Sequence, residues 1–263
     1  MIFSRLQLFA VELYGARVVL WKLAAQQLTL RYRRSALGFL WTLINPLVMM
    51  SFMAIVFSSL FKTDLKTFAV FLFSGMIAWN FFNSVVTQSS SSFLMNETLI
   101  KKIYLPKVIF PLSIAISALI DSVLSFISLF VIIIALGGSL SWALLFLPVS
   151  FFLLFIFSVG IGLLISIATV YFRDLQHILL IAIQGLFFLT PILYKPNSLG
   201  GKIGWLVSLN PVTPFISLFR TPLLDSTVPS ILIITQATCL AFFAIGMGLL
   251  IFLRYEKQIV YRL

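Results

Sequence analysis

Asp121 is the one acid set well inside an apolar run of this chain, in a stretch of 65 residues (108–172) where no other residue is charged. A carboxylate among apolar neighbours is expensive to keep there, which makes it a functional candidate by default. No Lys, Arg or His accompanies it within that run, so it is poorly equipped for a proton relay. The competing structural reading has it protonated, or hydrogen-bonded to Ser117 and Ser125 on the adjacent turns. Two polar series surround it in sequence. Asn80, Asn83, Ser84, Thr87, Gln88 and Ser91 follow steps of three and four, as do Ser113, Ser117, Asp121, Ser125 and Ser128. Such steps place most of each series on one stripe of a helix. Polar stripes facing hydrocarbon are costly, so each must meet another helix or a wet cavity. Two uses fit: hydrogen bonds between helices, or a conduit lined by hydroxyls and amides.

Several chemistries are excluded. A phosphate-cradling loop needs G-x-x-x-x-G-K-[ST]. The nearest fragment, Gly200-Gly201-Lys202-Ile203, lacks the first glycine and the hydroxyl. His177 is the only histidine, which removes paired-imidazole relays and His-based metal sites. Cys239 is the only cysteine, so no internal disulfide forms, and in its apolar stretch it reads as a small buried hydrophobe. No paired catalytic groups are visible, and the chain is expected to bind no cofactor of its own.

The elements that carry these residues follow from composition. The chain has 61% hydrophobic and 10% charged residues, with a mean hydropathy of +1.14. Soluble domains carry about 25% charged residues, so lipid must be the solvent for much of this surface. A net charge of +11 raises the question of nucleic acid. Here the basic residues lie between apolar runs, where anionic membrane surface and orientation explain them better. A helix needs about 20 apolar residues to cross about 30 Å of hydrocarbon. Runs at 36–60, 68–93, 108–136, 142–170, 175–194 and 231–253 meet that requirement, with Gly137-Gly138 dividing the third from the fourth. The expectation is an all-α membrane protein with six transmembrane helices. Placing both termini in the cytoplasm puts 13 of the 18 basic residues on that side, as the positive-inside bias requires. Residues 1–35 carry no secretory signal and are expected to form an interfacial amphipathic helix, with Leu20, Ala24 and Leu28 on one face. Residues 200–225 hold two apolar runs too short to cross, which reads as periplasmic re-entrant half-helices before the last span. Asn96-Glu97-Thr98 matches a glycosylation acceptor but falls on the cytoplasmic side of this topology.

Four segments, taken in order, are similar to a known family. They are Arg31-Tyr32-Arg33-Arg34-Ser35 leading into Leu37-Gly38-Phe39-Leu40-Trp41 and Asn45-Pro46-Leu47; Tyr171-Phe172-Arg173-Asp174-Leu175; Leu186-Phe187-Phe188-Leu189-Thr190-Pro191-Ile192 with Tyr194; and Leu209-Asn210-Pro211 with Pro214 and Arg220. Together they resemble the polysaccharide-exporting branch of the type-2 ABC exporter permeases, which move lipid-linked O-antigen, capsule or teichoic-acid chains across the bacterial inner membrane. The resemblance implies a homodimer around one channel, two copies of a separate ABC ATPase that hold the ATP and Mg, a lipid-linked polysaccharide as cargo, and no nucleic acid. It implies ATPase coupling at Arg31, Arg33 and Arg34, at Glu97, Lys101 and Lys102, and at Arg173 and Asp174. A periplasmic gate falls at Asn210, Pro211, Pro214 and Arg220. The substrate path is expected along Asn80, Asn83, Thr87, Ser91, Ser113, Ser117 and Asp121. A drug or lipid permease of the same broad family is the nearest alternative. An ion-coupled carrier centred on Asp121 would bring inverted repeats and more intramembrane charge, and neither is visible.

Overall fold

The structure is a computed structural model that describes residues 11–32, 37–135, 141–195 and 200–263. Among the described residues every regular element is helical. In chain order they are α1 (Arg17–Tyr32), α2 (Trp41–Phe61), α3 (Leu65–Met95), α4 (Glu97–Lys102), α5 (Ile109–Ala135), α6 (Leu147–Tyr171), α7 (Leu175–Leu189), α8 (Gly201–Leu209), α9 (Thr213–Leu224) and α10 (Ile231–Arg262). Short 3₁₀ turns at Gly38–Leu40 and Trp142–Phe146 lead into α2 and α6.

Among the described residues, five helices are long and apolar enough to cross a membrane: α2, α3, α5, α6 with its preceding turn, and α10. The run expected at 175–194 yields a helix of 15 residues that stops at Leu189. Pro191 explains the stop, because it lacks an N–H and disfavours helical geometry in the residue before it. At the other end of the chain α10 continues nine residues past the expected limit of 253 and finishes at Arg262. Arg254, Lys257 and Arg262 sit on it as helical residues whose long stems let the charge reach water.

Local chemistry sets the joints. Asp64 caps α3 by accepting from the Thr67 N–H at 3.0 Å and the Thr67 hydroxyl at 3.1 Å. Lys62 adopts a left-handed conformation (φ 53°) to close α2. Asn96 separates α3 from α4, its side chain donating to the Ser92 carbonyl at 2.8 Å.

α3 is the hub. Its middle is the most buried of the five long helices, and it packs on α2, α5, α6, α7 and α9. Phenylalanine rings bind this centre together. Phe82 of α3 stacks on Phe157 of α6 at 5.7 Å, Phe157 on Phe215 of α9 at 4.6 Å, and Phe151 meets Phe219 edge-on at 4.7 Å. Each such pair contributes about 0.5–1.5 kcal/mol beyond area burial. α6 and α10 form the closest helix pair. Gly160 and Gly248 face each other there, and a Cβ on Gly248 would lie 2.6 Å from the Gly160 carbonyl oxygen.

α1 buries the face expected from its spacing, with Ala24 fully covered and Leu20 and Leu28 half-buried. It packs on α5. Gln27 on that face donates to Ser113 Oγ at 3.1 Å and accepts from Ser117 Oγ at 3.0 Å. Replacing Gln27 with Ala leaves two buried hydroxyls without their amide partner, which costs about 1–2 kcal/mol. The expected outcome is a purified chain with a lowered thermal midpoint, while Gln27→Glu, which keeps an acceptor, falls between.

Candidate functional site

Three helices enclose a polar cleft of about 400 Å³. α2 contributes Thr42 and Asn45, α3 contributes Asn80 and Ser84, and α5 contributes Asp121, Ser122 and Ser125. Trp41, Met49, Met50 and Met76 form its apolar walls. Periodicity brings Ser84 one turn below Asn80 on α3, and Ser125 one turn beyond Asp121 on α5. Pro46, inside α2, also faces this space. A proline within a helix frees the carbonyl one turn earlier from its usual partner, which adds to the polarity of the wall. The cleft holds one carboxylate among neutral amides and hydroxyls. Such a surface offers many hydrogen bonds.

The seven path residues divide into three groups. Asn80 and Asp121 line the cleft. Asn83, Thr87 and Ser91 are half-buried on α3, and the latter two turn their hydroxyls back onto their own helix, Thr87 to the Asn83 carbonyl and Ser91 to the Gln88 carbonyl at 3.1 Å. Gln88 donates to Ser84 on the same face. Ser113 and Ser117 are buried beneath α1 and joined to Gln27. The Ser125 hydroxyl donates to the Asp121 backbone carbonyl at 2.9 Å, and that of Ser117 to Gln27 and the Ile114 carbonyl. These bonds use backbone and α1 partners where sequence spacing pointed to the Asp121 carboxylate. Trp41, Thr42 and Ser122 of the cleft escaped the sequence reading as site residues. Only the proximity of α2 and α5 brings them in.

Toward the N-terminal end of α3, Arg220 of α9 reaches across to two other segments. Its Nη1 donates to the Pro191 carbonyl at 2.8 Å, and its Nη2 to the Ile192 carbonyl at 3.2 Å and the Phe71 carbonyl at 3.4 Å. The guanidinium lies 3.6 Å over the Phe71 ring, a cation–π contact. Gly75 makes room for it, since a Cβ there would stand 2.8 Å from Nη2. Asn210 adds a second tie. It donates to Thr190 Oγ1 at 2.8 Å and accepts from the Val212 N–H at 2.9 Å. Pro214 starts α9, where its missing N–H has no helical partner to lose, and Pro211 is exposed in the turn before it. The four expected gate residues therefore gather in one clasp of α8, α9 and the end of α7, fastened to α3.

The expected coupling residues of α4 and of the 172–174 turn lie at the C-terminal end of α3. Glu97 and Lys101 pair at 2.6 Å on the exposed face of α4. The Lys101 ammonium, by hydrogen bond and charge, holds the Glu97 carboxyl below its ordinary range, and the charge of Arg173 adds to this. α4 and the 172–174 turn are thus electrostatic neighbours. Asp174 stands exposed at the start of α7, and Gln176 two residues on donates to the Ser90 carbonyl of α3 at 3.4 Å. Lys101, Lys102, Tyr104 and Lys107 border a cleft of about 240 Å³ that Val260 of α10 closes. Arg31 is in the last turn of α1, and Arg33 and Arg34 lie outside the described residues.

Comparison with known proteins converges on one family. Residues 18–224 match the family described as ABC-2 type transporter. An O-antigen export system permease protein RfbA of Klebsiella pneumoniae is 30% identical over 219 residues, covering 80% of this chain and 83% of that protein. The protein of the same name from Myxococcus xanthus is 29% identical, with 83% and 85% covered. The polysialic acid transport protein KpsM of Escherichia coli is 23% identical, with 78% and 80% covered. The matched span runs from α1 to the end of α9 and takes in the cleft, the clasp and α4, and it establishes that the chain belongs to the ABC-2 type transporter family.

Proposed function

We propose that this chain is the membrane permease subunit of an ABC transporter that exports a lipid-linked polysaccharide across the bacterial inner membrane. The observation that carries the reading is the similarity, along about four-fifths of both chains, to permeases named for O-antigen export. The polymer would pass between two copies of the chain, and a separate ATPase subunit would supply ATP and Mg. In this reading α7 is the sixth crossing, both termini are cytoplasmic, and α8 and α9 form a re-entrant pair. A crossing of 15 residues spans about 22 Å at 1.5 Å per residue, and the chain then turns at Thr190–Ile192, where the Ile192 N–H donates to the Thr190 carbonyl at 2.7 Å. The irregular backbone there is supported by Arg220 and Asn210, as buried non-helical backbone in a membrane requires.

The physical logic has two ends. A chain without a phosphate-binding loop can use ATP only through rigid contact with a partner. α4 and the 172–174 turn offer that contact, and α3 is a continuous 31-residue helix from α4 to the clasp. At 1.5 Å per residue it spans about 46 Å, enough to carry a displacement through the membrane. Along the route, amides, hydroxyls and aromatic rings give many weak contacts. A long polymer must slide, and deep binding minima would stop it.

Deleting the gene tests the reading. Surface polysaccharide is expected to disappear while lipid-linked glycan accumulates on the cytoplasmic face, and re-expression is expected to restore export. Normal surface glycan in a deletion strain that lacks a second permease would overturn it. Within the cleft, Asp121→Leu is expected to lower export about tenfold, the effect of losing a hydrogen bond to a charged group. Asp121→Asn keeps hydrogen-bonding capacity and is expected to retain most of the flux in the same surface-glycan assay.

A further inference from the structure

A groove of about 480 Å³ runs between α6 and α10, away from the polar cleft and the clasp. Its walls are Leu164, Ile167 and Ala168 on one side and Ile251 on the other, with Tyr171 and Tyr255 toward its end. The neighbouring Phe243, Met247 and Leu250 are exposed and apolar, as a side of α10 turned to hydrocarbon requires. Past the two tyrosines the character changes within two turns. Tyr171 donates to Gln258 Oε1 at 2.6 Å, and its ring meets that of Tyr255 edge-on at 5.7 Å. The Arg262 guanidinium lies 4.2 Å over the Tyr171 ring, and that of Arg254 lies 5.7 Å over Tyr255. Ile251, Tyr255, Gln258 and Arg262 follow steps of four, three and four, so they form one stripe of α10, with Arg254 on its edge.

Along this stripe the sequence of surfaces is apolar slot, aromatic collar, amide, cation. That order matches a lipid molecule read from acyl chain to headgroup. Aromatic residues prefer the interface level, which puts the two arginines at headgroup height. Their stacking on tyrosine rings holds them beside the groove and leaves their outer N–H groups for a ligand. Guanidinium donors favour a phosphate oxygen in bidentate geometry.

We propose that the α6–α10 groove is a binding site for an anionic phospholipid of the leaflet at the α4 face. One acyl chain lies against Ala168 and Ile251, the phosphate meets Arg262 past the tyrosine collar, and Arg254 at the groove's edge adds positive charge. The site is independent of which glycan the transporter carries. Its position next to the Arg173 turn would link lipid occupancy to the end of α6.

The full-length chain reconstituted in phosphatidylethanolamine vesicles, with equal trace amounts of photoactivatable phosphatidylglycerol or photoactivatable phosphatidylethanolamine, tests this. Adducts are mapped by mass spectrometry. The phosphatidylglycerol probe is expected to label residues 164–171 and 251–255 in preference to the zwitterionic probe. Removing one arginine (Arg262→Gln) is expected to reduce that preference about fivefold, the discrimination given by one near-surface cation, and the Arg254→Gln/Arg262→Gln pair to abolish it. Ala168→Phe, which fills the slot, is expected to remove labelling by both probes at these positions while labelling near the lipid-facing Phe243 persists. Equal labelling by the two lipids in the unmodified chain, an unchanged preference in the double variant, or no labelling of the groove at all would overturn the proposal. Persistence of the adducts near Phe243 in every variant separates loss of the site from loss of the fold.

Discussion

Arg220→Ala is expected to abolish export and to lower stability by about 3–5 kcal/mol, because three carbonyls lose a charged donor worth about 1.5–3 kcal/mol each and the relieved desolvation of the guanidinium returns part of the sum. The carbonyls of Pro191, Ile192 and Phe71 belong to two different segments, and one planar group serves all three while resting on the Phe71 ring. Lysine cannot replace that geometry. Its compact ammonium has no plane to stack and no fork to span the carbonyls, so Arg220→Lys is expected to stay near the alanine variant. Gly75→Ala is expected to reproduce part of the defect with Arg220 intact, since its methyl would displace Nη2 from its partners. Thermal unfolding of the purified chain gives the stability change, and surface glycan gives the functional one. A variant in which Arg220→Ala exports normally would remove the clasp from the mechanism.

Gly160→Leu is expected to separate α6 from α10 and to prevent stable accumulation of the chain. A Cβ at Gly160 would run into the backbone of Ala244 and Ile245, with the Ala244 oxygen only 2.6 Å away. A flexible side chain could yield to such a contact; helical backbone cannot. Overpacking a core costs about 1–3 kcal/mol where side chains give way, and a backbone-to-backbone collision exceeds the upper figure. Gly246→Ala is the matched control. Nothing stands within 4 Å of the added methyl there, and exchanging glycine for alanine inside a helix favours the helix by about 1 kcal/mol. Expression level and monodispersity of the two variants, side by side, check the contrast.

The helical bundle was legible because hydrocarbon imposes a length rule that any apolar run reveals. Its ends were less so. Thr190-Pro191 stands in the sequence as a helix stop, yet the apolar residues around it extended the expected crossing to 194. Arg254 and Lys257 read as loop charges, whereas α10 carries them outward on long stems. Within the site, the three- and four-residue steps marked two polar series, but such a series does not announce its partner. Asn80 and Asp121 met across the cleft, while Ser113 and Ser117 met Gln27, some 90 residues away in sequence. The partners of Arg220 were beyond reach for another reason: they are backbone carbonyls, which every residue possesses and no motif marks. The motif did carry Asn210 and Arg220 as a pair, and the structure supplies the reason, since both fasten the segment that follows α7.

Geometrically α3 connects the three places the proposed relay needs. One end joins α4 through Asn96, the middle borders the polar cleft, and the other end receives Arg220.

Reconstitution isolates the proposed dependence on a partner ATPase. Vesicles containing the chain together with its ABC ATPase partner are loaded with lipid-linked glycan on the ATPase side, and translocation is read as protection of the glycan from an added glycosidase. ATP-driven protection that requires both subunits, and fails with either alone, is the expected result. Nucleotide hydrolysis by the isolated chain, or translocation unaffected by withholding the ATPase, would contradict it.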